Sequence, residues 1–217
     1  MVSTKRQSGF TLIEIAIVLV IVGLLLGGIL KGQELITQAK IRNVVNDFNG
    51  TSAAYYAYQD RYRAIPGDDI NAATRWTKPQ ATSGDGNGVV SGNYYDIAGR
   101  SETAYFWQDL RLSGLIAGAG TDTAPPQNAA TGITGVQNSG AMGLSGLVVC
   151  SSNLPAKIAQ AVDSQFDDGV GTTGQVRAAV AGAGAQGTAN APAVDQNTAA
   201  TDYVDNGTNL YVVCKNI

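Results

Sequence analysis

Few side chains in this sequence can do chemistry, and most of them are acids. Glu14 stands inside an apolar run, Phe10 to Leu30, 21 residues of which only Thr11 and Glu14 are distinctly polar. A carboxylate in hydrocarbon costs up to about 3 kcal/mol on insertion scales, so it needs a partner or a task. Asp85-Gly86-Asn87-Gly88 reads like the opening of a calcium loop. The third ligand and the placed Glu of the full loop pattern are missing. Asp85 and Asn87 are therefore calcium candidates only if Asp68, Asp69 or Asp96 approach in space, and a plain Gly-Asn turn is the simpler expectation. Asp167-Asp168-Gly169 could pair two carboxylates, but an acidic pair before a glycine reads more simply as the surface end of a helix. Ser151, Ser152 and Lys157 do not make a recognisable nucleophile pair, and no P-loop, G-x-S-x-G, G-x-G-x-x-G or C-x-x-C motif is present. Asn206-Gly-Thr matches a glycosylation sequon, too short a signal to argue from.

The chain of 217 residues has no histidine. That removes the commonest general base, the usual catalytic-zinc ligand and every Ser-His or Cys-His pair. The net charge of -3 argues against a nucleic-acid module that works through bulk basic charge. No catalytic residue and no cofactor are expected. The two cysteines, Cys150 and Cys214, allow one pairing. It would close a loop of about 65 residues, worth roughly 4 kcal/mol in the chain-entropy account. Two buried thiols are the alternative, and export from the cytoplasm would favour the disulfide.

The elements that carry these residues begin with the apolar run. At the helical rise it spans about 30 Å, the thickness of a bilayer core, and Lys5 and Arg6 before it would hold the N-terminus in the cytoplasm. A cleaved secretory signal fits poorly. The stretch is long, no A-x-A-like site closes it, and Glu14 lies within it. A plain anchor fits the length and leaves Glu14 without a reason.

The segment Lys-Arg-Gln-Ser-Gly-Phe-Thr-Leu-Ile-Glu, followed by an apolar helix, resembles the leader of the type IV pilin superfamily over residues 5–30. The resemblance implies cleavage by a prepilin peptidase between Gly9 and Phe10, N-methylation of Phe10, and retention of the apolar helix. It gives Glu14 an assembly role, as partner of the Phe10 amine of another subunit, where two charges expensive to bury alone can set register together. Residues 64–120 and 147–178 are similar, more patchily, to pilin-like proteins. Many major type IV pilins carry a proline near the end of the apolar stretch, and this chain has none before Pro66.

Beyond Leu30 the helical pattern continues, with Ile41, Val45, Phe48, Ser52, Tyr55 and Tyr62 on one face, until Pro66 forces a stop near Ala64. The expected organisation is a leader at 1–9, one long helix at 10–64 with 10–30 in the membrane or filament core, and a head domain at 65–217. Gly23/Gly27 and Gly28/Gly32 have the spacing that lets helices approach closely. In the head, a helix is expected after Ser101, ending before Gly114, and another between Pro155 and Gly169. Strands are expected within residues 145–155, where one ends in a turn, 174–180 and 209–217. Residues 117–145 and 179–201, rich in Gly, Ala, Thr and Asn, are expected to be exposed loops. The fold class is α+β, a long N-terminal transmembrane and assembly helix packed on a small antiparallel sheet, the pilin fold the resemblance implies.

Function is expected to be structural. The leading reading is a type IV pilus-like filament subunit, major or minor, in contact with copies of itself, inner-membrane lipid, the prepilin peptidase, and an assembly platform driven by a cytoplasmic ATPase. The alternatives are a type II secretion pseudopilin, a non-polymerising membrane-anchored periplasmic binding domain and, disfavoured by the missing histidine, a tethered hydrolase.

Overall fold

In the computed structural model residues 11–96, 99–138, 140–181, 191 and 193–217 are described. The elements run α1 (Leu12–Tyr62), α2 (Ala72–Arg75), α3 (Glu102–Leu112), β1 (Thr134–Gln137), β2 (Val148–Pro155), α4 (Ala156–Phe166), β3 (Val176–Val180) and β4 (Leu210–Asn216). The boundary between the chain's two compact units falls between Ala39 and Lys40, inside α1.

The second unit, Lys40–Ile217, is the head together with the distal part of α1. Its four strands form one antiparallel sheet in the order β1-β2-β4-β3. Alternation along each strand gives the sheet two apolar faces. Val136, Val149, Val176, Ala178, Tyr211 and Val213 pack with the helices. Val148, Cys150, Ala179, Val212 and Cys214 face the other way, under Tyr94, Met142, Leu144, Ala191 and Val194. The arrangement is α+β, with the distal part of α1 packed on the sheet.

The distal stripe of α1 is centred on Val44, Phe48, Thr51, Ala54 and Tyr58, with Ile41, Val45, Tyr55 and Tyr62 packed at its edges. Phe48 meets Phe166 at the end of α4 edge to face, ring centroids 5.8 Å apart. α1 ends at Tyr62, two residues short of the expected stop, because Arg63 turns left-handed at φ 54° before Pro66. α3 and α4 follow the expected punctuation, with Gly114 (φ 73°) and Gly169 (φ 78°) just past their ends. Ser101 occupies the N-cap position of α3 with extended backbone, yet its hydroxyl bonds Thr103 and caps no helix N–H. Phe106 and Trp107 enter the core.

The stretch 117–145 corrects the expectation of an exposed loop. Thr134–Gln137 is a fully buried strand, and Ala141, Met142 and Leu144 are buried behind it. Nothing in Thr-Gly-Val-Gln alternates, and its strand character comes from pairing with β2. Gly135 is required there, since a Cβ would fall 1.8 Å from the Tyr94 carbonyl oxygen. In 179–201, Ala191 and Val194 are likewise buried rather than exposed.

Two devices lock the head. Cys150 and Cys214 are joined by a disulfide, and they are directly opposed partners of β2 and β4 with Cα atoms 4.0 Å apart. At the other end of the head, the turn after Pro66 is fastened by a buried polar corner. The Tyr58 hydroxyl donates to Asp69 Oδ2 at 2.8 Å, Arg75 pairs with the same carboxylate, and the Gly67 N–H donates to Asp109 Oδ2 at 2.8 Å. Asp109 is fully buried and its Oδ1 has no partner among the described residues. Burial, helped by the Asp69 charge and opposed by the Gly67 N–H, pushes its carboxyl from the ordinary 3.8 up to about 7.

Removing both cysteines (Cys150→Ala, Cys214→Ala) is expected to lower stability by about 2–5 kcal/mol in chemical denaturation, with non-reducing peptide maps of the wild type linking the two residues. The raised Asp109 pKa fixes the sign of a second effect. Its contribution is complete below about pH 3.8 and is lost as pH rises through about 7. The head should therefore lose on the order of 4 kcal/mol across that range through this group, and Asp109→Asn should flatten that part of the profile. An unchanged slope in the variant would exclude Asp109 as its source.

Candidate functional site

The first unit supplies an N-terminal surface rather than a cleft. From Thr11 to Leu30 every residue of the chain is exposed, Leu12 at 89%. α1 is long and apolar enough in this part to cross a membrane. Among the described residues nothing in the chain covers it. A Cβ added at Gly23, Gly27, Gly28 or Gly32 would meet nothing within 4 Å, so the chain's own packing does not demand these glycines.

At the head of the helix, Thr11 and Glu14 form a capping box. The Thr11 N–H and hydroxyl donate to Glu14 Oε2 at 2.7 and 2.8 Å, and the Glu14 N–H approaches Thr11 Oγ1 at 3.4 Å. Oε2 is thus spent on the helix start, while Oε1 accepts no bond among the described residues. Gly9 and Phe10 lie outside the described residues.

In the head, Asp68, Asp85 and Glu102 each bring a carboxylate oxygen within 4.8 Å of the others. Asp68 accepts the N–H groups of Gly86, Asn87 and Gly88 at 2.6, 3.1 and 2.8 Å. Glu102 accepts from the Asp85 N–H, the Ser91 N–H and the Ser91 hydroxyl at 3.0, 2.9 and 2.7 Å. Asn87 donates its side-chain N–H to Asp85 and accepts from the Val89 N–H. The two acids close the 84–91 loop by satisfying its backbone donors. Burial raises the Asp68 carboxyl above its usual range, against the pull of those N–H bonds. Of the other acids, Asp69 pairs with Arg75, and Asp96 accepts the Asn93 N–H.

A second trio, Asp163, Asp167 and Asp168, does the same at the end of α4. Buried Asp163 accepts from the Tyr203 hydroxyl at 2.7 Å and the Gly169 N–H at 3.2 Å. Asp167 accepts the Gln175 and Val176 N–H groups, and Asp168 accepts from the Thr173 hydroxyl and the Val170 N–H. Burial raises Asp163, whereas the Thr173 hydroxyl lowers exposed Asp168. Ser151 and Ser152 are buried and bonded within the sheet region, and Lys157 is exposed.

Residues 4–30 match the prokaryotic N-terminal methylation motif, the prepilin-type signal of type IV pilins and pseudopilins. Over this segment the chain is similar to pilin-like and pseudopilin precursors. No curated protein matches its sequence. The signal points to a structural subunit and implies processing by a prepilin peptidase and assembly into filaments. Together with a helix long and apolar enough to cross a membrane, it suggests a membrane-anchored precursor.

The structure brings Asp85 together with Asp68 and leaves Asp69 and Asp96 in other pairings. Sequence reasoning missed Glu102 as a loop clamp and Thr11 as the partner of Glu14. The second was legible, since Thr-Leu-Ile-Glu is the T-x-x-E pattern of a capping box. Because the Asp68 and Glu102 oxygens already close their loop on N–H donors, adding or chelating calcium is expected to leave the thermal unfolding midpoint unchanged. A rise of several degrees with calcium would instead assign the trio to a cation.

Proposed function

We propose that this precursor is a subunit of a type IV pilus-like filament, major or minor, assembled through the exposed apolar part of α1. The observation that carries the reading is the combination on one helix: a methylation motif at 4–30, apolar side chains with no intrachain cover from Leu12 to Leu30, and a carboxylate with one oxygen unspent. Cleavage between Gly9 and Phe10 creates an amine that is then methylated. In a filament, Glu14 Oε1 accepts from the Phe10 ammonium of a neighbouring subunit while Oε2 keeps its own helix start capped. The four glycines, unneeded by the chain's own fold, let neighbouring helices approach.

Before assembly the helix sits in inner-membrane lipid with the head in the periplasm. After assembly it sits in a bundle of like helices, on the pilus or at the cell surface. Both environments are apolar, so transfer between them changes free energy little, and the work comes from a cytoplasmic ATPase acting through the membrane platform. The chain acts as a structural element without catalysis or cofactor, and Asp85 and Asn87 serve as turn residues. A type II secretion pseudopilin is the second reading, favoured by the lack of any proline before Pro66.

Mass spectrometry of membrane-extracted protein is expected to show N-methyl-Phe10 as the mature terminus. An intact Met1–Gly9 leader would sink the proposal in favour of a plain anchor. Glu14→Ala is expected to insert normally and to fail in filament assembly, read by shearing and electron microscopy.

A further inference from the structure

The chain contains five steps in which Asn or Asp precedes glycine: Asn49-Gly50, Asp85-Gly86, Asn87-Gly88, Asp168-Gly169 and Asn206-Gly207. Such steps share one intrinsic hazard. The glycine nitrogen can attack the preceding side-chain carbonyl carbon, because no Cβ obstructs its approach. The reaction requires that nitrogen to be free of other bonds.

In four of the five steps it is engaged. Gly50 lies inside α1, where its N–H belongs to the helical ladder. The Gly86 and Gly88 N–H groups donate to Asp68 at 2.6 and 2.8 Å, and the Gly169 N–H donates to Asp163 at 3.2 Å. The fifth differs in both reacting groups. The Gly207 N–H has no acceptor among the described residues. Asn206 Oδ1 sits in a cradle of three donors, the Thr208 N–H and hydroxyl, both at 3.0 Å, and the Asn209 N–H at 2.8 Å. Asn206, Gly207 and Thr208 are all exposed.

We propose that Asn206 is a site of spontaneous deamidation, singled out by the fold from the chain's three Asn-Gly steps. The Gly207 nitrogen, losing its proton to water, forms a bond to Cγ of Asn206. Negative charge develops on Oδ1, where the three donors stabilise it as an oxyanion hole would. The Cγ–Nδ2 bond breaks, and Nδ2 leaves as ammonia after taking a proton from water. Water then adds to one of the two carbonyls of the resulting succinimide and opens it to aspartate or isoaspartate. The net change is amide plus water to carboxylate plus ammonium, with no oxidant or catalyst. It places a new negative charge four residues before β4 begins at Leu210, in a loop that already carries Asp202 and Asp205. The site is independent of whether the subunit assembles, and in an assembled subunit it would mark age chemically.

The test incubates the full-length protein in detergent in mildly alkaline buffer and follows it by peptide mapping with isoaspartyl methyltransferase labelling. The same chain denatured in urea is the reference. Asn206 is expected to convert in the folded chain, while Asn87 and Asn49 convert roughly tenfold or more slowly than in the denatured chain, since a backbone hydrogen bond must first be broken. Thr208→Val, which removes one cradle donor, is expected to slow Asn206 severalfold. Folded-state suppression of Asn206 as strong as that of Asn87 would overturn the proposal, as would a glycan on Asn206. An unchanged rate in Thr208→Val would remove the role of the cradle. The wild-type comparison stands even if the variant misfolds.

Discussion

An apolar helical surface that its own chain leaves uncovered must be covered by something else, and α1 makes this demand over its whole proximal part. Side chains from Leu12 to Leu30 are all exposed, with no cover among the described residues. At about 25 cal/mol per Å2, leaving them in water would cost more than a domain of this size has in stability. The distal part of the same helix meets the demand within the chain, because Val44, Phe48 and Tyr58 are buried among the sheet, α3 and α4. One helix therefore has two solutions to one constraint, and the change comes where Lys40, Arg42, Asn46 and Asp47 break the apolar surface into a stripe.

The head that covers the distal stripe belongs to a chain poor in charge and rich in glycine, 14% charged with 27 glycines among 217 residues. Such loops have little apolar surface with which to hold themselves. The structure holds them with acids. Asp68, Glu102, Asp109, Asp163 and Asp167 each accept one or more backbone N–H groups from a loop that passes close by. Glycine makes the approach possible, as at Gly84, where a Cβ would lie 2.4 Å from the Asp68 Cα. Carboxylates that resemble chemistry in the sequence are thus the mortar of the loops, and the disulfide plays the same part on the far face of the sheet.

What could be read beforehand follows from this. The long helix, α3, α4 and strands β2, β3 and β4 were legible because each carries its own local pattern and punctuation. Phe48 was legible as a stripe residue. Tyr58 was not, because its burial depends on Asp69 and Arg75 arriving from a later turn. β1 was illegible because its four residues acquire strand geometry only from β2. Glu102 sits in the first turn of α3, where the dipole favours any acid, so its position alone marks nothing further. Its reach to the Asp85 and Ser91 N–H groups is a tertiary fact.

The electrostatics of the helix start tie the capping box to the processing motif. A helix N-terminus carries partial positive charge from its unsatisfied N–H groups, and an ammonium placed there adds to it. Cleavage before Phe10 would put such an ammonium one residue ahead of Thr11, in surroundings too apolar to screen it. Glu14 stands in the first turn of α1, the one place where a single carboxylate opposes both charges. Its oxygens divide the task. Oε2 satisfies the Thr11 N–H and hydroxyl, so the helix can begin without water. Oε1 keeps a full acceptor for a cation. A residue capping its own helix needs no neighbour, and a residue pairing only with a neighbour leaves its helix start frayed in lipid. With the two roles on separate oxygens, the same carboxylate would, in the proposed filament, serve the subunit alone in the membrane and the subunit among its copies.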